Sequence, residues 1–183
     1  LSIAPVRELT QVFKDLGLRG GRVGAELGFE QRLGIPVNEL DRLRTELAPT
    51  RLEDAADILW GLRMIKSDDD IESLREACRI TGESFDATFG STRAGDRYPA
   101  IGRRMEAAMT ASGGRGAWTL QTSGSGSYGS ATGAPRDRPA EPGEMVWLDA
   151  GCSVDGFYSD FSRAGVVGRP TPGQIDAHRA IVE

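Results

Sequence analysis

Residues 147–168 read WLDAGCSVDGFYSDFSRAGVVG, and no other stretch of the chain restricts its folding as much. Two runs with period-two patterning flank Asp155-Gly156, a strong short-range signal for a two-residue hairpin turn. Such a turn sets the register, so that Asp149 faces Ser162. Asp160 shares the face of Ser162 and lies one diagonal step from Asp149, near enough for both carboxylates to reach one ion or two adjacent ions. A longer loop or a bulge centred near Val154 and Asp155 would put the two directly opposite. In either register the carboxylates point together. Like charges side by side on a sheet repel, so the pair needs a shared proton, an arginine or a cation. Arg163 is close in sequence, but alternation sends it to the other face. A cation is the economical answer, although two carboxylates alone hold a hard or borderline ion weakly and further ligands are required. The alternative is that one aspartate merely ends its strand in solvent. Asp149 and Asp160 are therefore the candidate metal ligands; no residue is assigned to catalysis or to substrate binding.

Upstream, the period is helical. Val6, Leu9, Val12, Phe13 and Leu16 share one spacing, as do Val37, Leu40, Leu43 and Leu47, with the short run Arg22–Leu27 between them reading as a strand. From Arg51 long helices are predicted: Asp54–Met64, then a helix capped by Ser67 with Asp70 three residues on. That helix carries Ile71, Leu74, Cys78, Thr81, Phe85 and Phe89 as its apolar stripe. A further helix over Pro99–Ser112 turns Ile101, Met105, Ala108 and Met109 inward. Strands are predicted at Ala117–Thr122, Met145–Ala150 and, as one long element, Gly156–Val167. A last helix starts at Thr171.

The chain has 183 residues and a net charge of −5, with no basic stripe, so nucleic acid is not expected as a partner. No apolar run is long enough to span a membrane, and no basic-then-apolar leader pattern is read, so secretion is not expected. Cys78 and Cys152 form neither a metal-type nor a disulfide-type spacing and read as small core residues in a reducing, cytoplasmic setting. The chain starts at Leu1 and ends inside a helical run, so a fragment is expected.

Residues 124–129, GSGSYG, match the G-x-G-x-x-G of dinucleotide-binding loops, and Asp149 follows Gly129 by 20 residues. That fingerprint works only when the loop opens a helix whose N-terminus holds the pyrophosphate. Here Pro135, Pro139 and Pro142 exclude a helix. A surface loop, or a loop lining a neighbouring site, remains.

Asp149-Ala150-Gly151 followed by Gly156-Phe157-Tyr158-Ser159-Asp160-Phe161-Ser162-Arg163 resembles the catalytic domain of the M24 metallopeptidases, the pita-bread family of methionine aminopeptidases, Xaa-Pro peptidases and creatinase. LRMIKSDDDIESLREACRI, residues 62–80, and the GRVGAELGF stretch are similar to its Xaa-Pro peptidase branch. The resemblance implies an α+β fold: residues 1–50 as the C-terminal part of a creatinase-type N-terminal domain, and residues 51–183 as the first half of a pita-bread catalytic domain. It implies five protein ligands for two divalent ions (manganese, cobalt, iron or zinc), with Asp149 on one ion, Asp160 bridging both, and a histidine and two glutamates beyond residue 183. The ions would activate water against a peptide or related C–N bond of a peptide or small amide-like substrate. A homodimer of the full-length protein is a further implication. His178 falls where the family has no ligand and reads as a surface residue. The family's substrate-contacting loop histidine has no counterpart in residues 123–143. A non-catalytic or non-peptidase relative is thus the alternative, and GSGSYG reads as active-site wall.

Overall fold

The computed structural model describes residues 6–121 and 135–182; Thr122 and the GSGSYG stretch lie outside the described residues. The chain forms two compact units that part between Lys66 and Ser67.

In the first unit, α1 (Val6–Asp15) leads to β1 (Arg22–Ala25), α2 (Val37–Leu47), β2 (Arg51–Asp54) and α3 (Ala56–Met64). The two strands run parallel, with Arg22 opposite Arg51 and Ala25 opposite Asp54. Val6, Leu43 and Leu47 form the core, with Leu9, Phe13, Ile35 and Leu52 packed on it. Two of the three glycines of GRVGAELGF have a steric role: a Cβ on Gly24 would stand 2.7 Å from the Ala55 Cβ, and one on Gly28 2.5 Å from an Asp54 carboxylate oxygen. The first compact unit runs past residue 50, where the N-terminal domain was expected to end. The charged run Arg51-Leu52-Glu53-Asp54 is a strand of the first unit, because β1 supplies its backbone partners, and the unit extends through α3.

The second unit is built from α4 (Asp68–Ser91), α5 (Tyr98–Ala111), β3 (Arg115–Gln121), β4 (Met145–Val154), β5 (Phe157–Tyr158), β6 (Phe161–Val166) and α6 (Pro172–Val182). β4 is central, paired antiparallel with β3 on one side and with β5 and β6 on the other. The Ser67 hydroxyl accepts from the Asp70 N–H while the Asp70 carboxylate accepts from the Ser67 N–H, a reciprocal cap that fixes the start of α4. Val146, Leu148, Ala150 and Cys152 alternate along β4 and are at most 1% exposed. They face the helices and join Ile80, Phe85, Tyr98, Ile101, Met105 and Met109 in one core.

The buried face of α4 differs from the expected stripe. Ala77, Ile80, Thr81, Ser84, Phe85 and Thr88 are inside, while Ile71 is exposed. Cys78 is exposed as well, so only Cys152 is a core cysteine. The stripe differs because Thr81, Ser84 and Thr88 are buried with it: the Thr81 hydroxyl lies 2.8 Å from the Ser159 hydroxyl and the Thr88 hydroxyl donates to the Met105 sulfur of α5.

Residues 135–144 form no helix and pack against the unit as a strap. Tyr98 N–H donates to the Arg138 carbonyl at 3.1 Å, Ala140 N–H to Asp96 O at 2.8 Å, and Gly95 N–H to Ala140 O at 2.9 Å. Glu144 accepts from the Arg138 guanidinium and from the Tyr98 hydroxyl. Residues 135–144 contain no helix and so offer no N-terminal dipole to a pyrophosphate.

Candidate metal centre

The β4–β5 turn sets the geometry of the site. Asp155 and Gly156 both have positive φ, 50° and 89°, which suits the twist of a two-residue hairpin. Val154 pairs with Phe157 and Ser153 with Tyr158. Beyond a two-residue gap the same register resumes: Ala150 pairs with Phe161, Asp149 with Ser162 and Leu148 with Arg163. No residue is inserted, so Asp160 keeps the parity of Ser162 and Asp149. The register expected for a two-residue turn is therefore the observed one.

The predicted long strand Gly156–Val167 is instead two strands, β5 and β6, separated by Ser159 and Asp160. An unbroken ladder would have Cys152 and Ser159 exchange two backbone hydrogen bonds. One survives, from Ser159 N–H to Cys152 O at 3.0 Å. The other is replaced: Cys152 N–H donates to the Ser159 hydroxyl at 3.1 Å. The Ser159 carbonyl has swung to where a side chain on residue 151 would sit, 2.0 Å from the position of an ideal Cβ. Only glycine fits there, which gives the D-x-G triplet a structural reason. Behind the break, the Thr81 hydroxyl of α4 lies 2.8 Å from the Ser159 hydroxyl, and Ser159 is 2% exposed.

Asp149 is half-buried on the sheet face opposite the helices, and Asp160 is exposed. Burial raises the Asp149 pKa above the ordinary carboxylate value, and the negative charge of Asp160 raises it further. The Asp160 charge therefore acts on Asp149, and among the described residues no basic group is a cause of the Asp149 shift. Arg163 lies over the Phe161 ring, 4.7 Å from its centroid, on the other face as alternation requires. Among the described residues, no third His, Cys, Asp or Glu joins the pair. A two-carboxylate oxygen set is of the kind that suits a hard or borderline divalent ion, and further donors are needed to hold one. His178 is exposed on α6 and borders a groove of about 320 Å³ with Ala164, Gln174 and Ile175; neither aspartate lines that groove. Ser159 and Gly151 were not singled out from the sequence as parts of the site. The D-x-G and S-D spacings were the signal for them.

A helix-backed antiparallel sheet that gathers two acidic side chains on its other face defines the second unit as an α+β domain with a carboxylate pair. This chain belongs to metallopeptidase family M24, whose profile matches residues 72–183. It is 25% identical over 159 residues to the Xaa-Pro dipeptidase of Pyrococcus horikoshii, covering 86% of this chain and 44% of that one. It is 27% identical to the Xaa-Pro dipeptidase of Pyrococcus furiosus, covering 86% and 45%. The X-Pro aminopeptidase from Thermotoga maritima superposes with a TM-score of 0.84 at 20% identity, covering 100% of this chain and 49% of that one. Prolidase from Pyrococcus furiosus gives 0.78 at 20% identity, covering 100% and 51%. The fold is the pita-bread fold of these peptidases, and the chain spans about half their length. Among the described residues no helix is long and apolar enough to cross a membrane.

Proposed function

We propose that this chain is the Asp-bearing portion of a metal-dependent hydrolase of the Xaa-Pro peptidase type. The observation that carries this reading is the common register of β4 with β5 and β6, which gives Asp160 the parity of Asp149, together with the charge of Asp160 acting on Asp149. Asp149 and Asp160 would hold the ion through their carboxylate oxygens, and further donors would complete the site. The group so held supplies one kind of chemistry: polarising a water and a carbonyl so that a peptide or related C–N bond is cleaved. The protein's share is to hold the two carboxylates close together. The raised pKa of Asp149 marks a carboxylate whose ionised form is costly without a cation and would gain from one.

Family membership supports the reaction class, and the names of the relatives support a proline-containing dipeptide as the substrate class. No histidine occurs in residues 123–143, which keeps a non-peptidase member of the family as the second reading. With two carboxylates and no third acidic, cysteine or histidine donor among the described residues, the 183-residue chain alone is expected to bind an ion weakly and to turn over no proline dipeptide. Incubating it with Mn²⁺ and a proline dipeptide, with and without a chelator, tests this. Chelator-sensitive turnover would contradict the assignment of two ligands.

A further inference from the structure

We propose that Ser159 is the positioning residue of the carboxylate pair: its side chain takes over a ladder hydrogen bond from its own carbonyl and so turns Asp160 out of the strand beside Asp149. This rests on the reading of Asp149 and Asp160 as the metal-binding pair.

In a regular antiparallel pair the Cys152 N–H would bond to the Ser159 carbonyl. The hydroxyl accepts that bond instead, at 3.1 Å, so the N–H stays satisfied while the Ser159–Asp160 peptide is free to rotate. The rotated carbonyl needs space on the site face, and Gly151 provides it, since any Cβ there would stand 2.0 Å from the oxygen. The hydroxyl is held from behind by Thr81 of α4 at 2.8 Å, and it also approaches the Cys152 carbonyl at 3.2 Å. A helix residue 78 positions away in sequence thus holds the strand break in place. Gly151, Ser159 and Thr81 act together: one receives the carbonyl, one replaces it, and one fixes the replacement. None of the three is a candidate ligand. Residues that orient ligands in this way commonly change metal affinity by about 10–100-fold when removed.

The test uses the 183-residue chain and three variants: Ser159→Ala, Thr81→Val, which keeps the shape without the hydroxyl, and Thr81→Ser, which keeps the hydroxyl. Two readouts are taken by NMR on each folded protein: amide exchange along β4–β6, and Mn²⁺-induced broadening of the resonances of Asp149 and Asp160. Ser159→Ala and Thr81→Val should accelerate exchange at least tenfold at Cys152, Ser159 and Asp160 relative to Val146 and Leu148. They should also raise the Mn²⁺ midpoint about 10-fold or more, with Thr81→Ser close to wild type. Exchange that rises uniformly or not at all, or a Mn²⁺ midpoint within twofold of wild type in both Ser159→Ala and Thr81→Val, would overturn the proposal. If Ser159→Ala does not fold, the Thr81 pair decides. If wild type shows no Mn²⁺ broadening at either aspartate, the metal-centre reading fails, and the exchange data alone decide whether Ser159 holds the break.

Discussion

Replacing Gly151 with alanine puts the packing of the strand break under direct test. The added Cβ would lie 2.0 Å from the Ser159 oxygen, whereas contacts below 3.0 Å are essentially never seen, so the carbonyl must retreat by at least 1 Å. The Trp118 indole nitrogen, 3.0 Å from the same point, blocks escape towards β3. A retreat of that size strains the bonds from Ser159 N–H to Cys152 O at 3.0 Å and from Cys152 N–H to the Ser159 hydroxyl at 3.1 Å. Each such bond contributes about 0.5–1.5 kcal/mol, and overpacking adds about 1–3 kcal/mol. The sum is a loss of about 2–6 kcal/mol. Urea unfolding of the 183-residue chain, followed by circular dichroism and tryptophan fluorescence, measures it. Gly82→Ala is the control: it sits inside α4 with nothing within 4 Å of its Cβ, and it should stabilise by about 0.5–1 kcal/mol. A Gly151→Ala loss below about 0.5 kcal/mol, the range of an ordinary surface substitution, would refute the account of the break.

Three further outcomes are expected. Asp149→Asn in the metal-free chain at pH 7 should raise stability by about 0.2–1 kcal/mol, because it removes a half-buried charge that faces Asp160; a loss, read from the urea midpoint, would mean the pair is not repulsive. Native labelling with a thiol reagent should modify one cysteine per chain, the exposed Cys78, with Cys152 reacting only on unfolding; two fast thiols would contradict the packing of β4 on α4. Glu144 is held below its ordinary pKa first by its hydrogen bonds from Arg138, then by the Glu141 N–H and the Tyr98 hydroxyl. Its folded-state pKa is depressed, so its contribution is complete above the unfolded value near 4.5 and is lost as pH falls through the folded value. Glu144→Gln should therefore cost about 1–3 kcal/mol at pH 7 and much less at pH 3, compared by urea midpoints; an equal cost at both would refute the charge-based reading.

The hairpin and the pairing face of its aspartates were legible because Asp155-Gly156 fixes a turn, and the turn fixes parity for every residue beyond it. The caps at Ser67 and Thr171 were legible for a similar reason, since capping is local chemistry: Gln174 N–H donates to the Thr171 hydroxyl at 3.3 Å. The break at Ser159 was not legible. Serine carries no strand-breaking signal, and the device depends on Thr81 and Gly151, which only the fold brings together. The buried face of α4 was misread in part because Ser84 and Thr88 look like surface residues in a hydropathy pattern, whereas both are buried and Thr88 donates to the Met105 sulfur. Arg51–Asp54 was missed as a strand because all but Leu52 are charged and its pairing is parallel and non-local. The strap over residues 135–144 read as part of an open loop, since its order comes from backbone bonds to residues 95–98 and from the Arg138–Glu144 pair.

The most direct measurement is a Mn²⁺ titration of the 15N-labelled chain and of its Asp149→Asn and Asp160→Asn variants, following each backbone amide. The account predicts broadening centred on residues 149–151 and 160–162 in wild type, with a dissociation constant on the order of 10⁻⁴ to 10⁻³ M, as for weak carboxylate sites, and its loss in either variant. Broadening that is absent, centred elsewhere, or unchanged by both substitutions would contradict the assignment of Asp149 and Asp160 as a metal-binding pair.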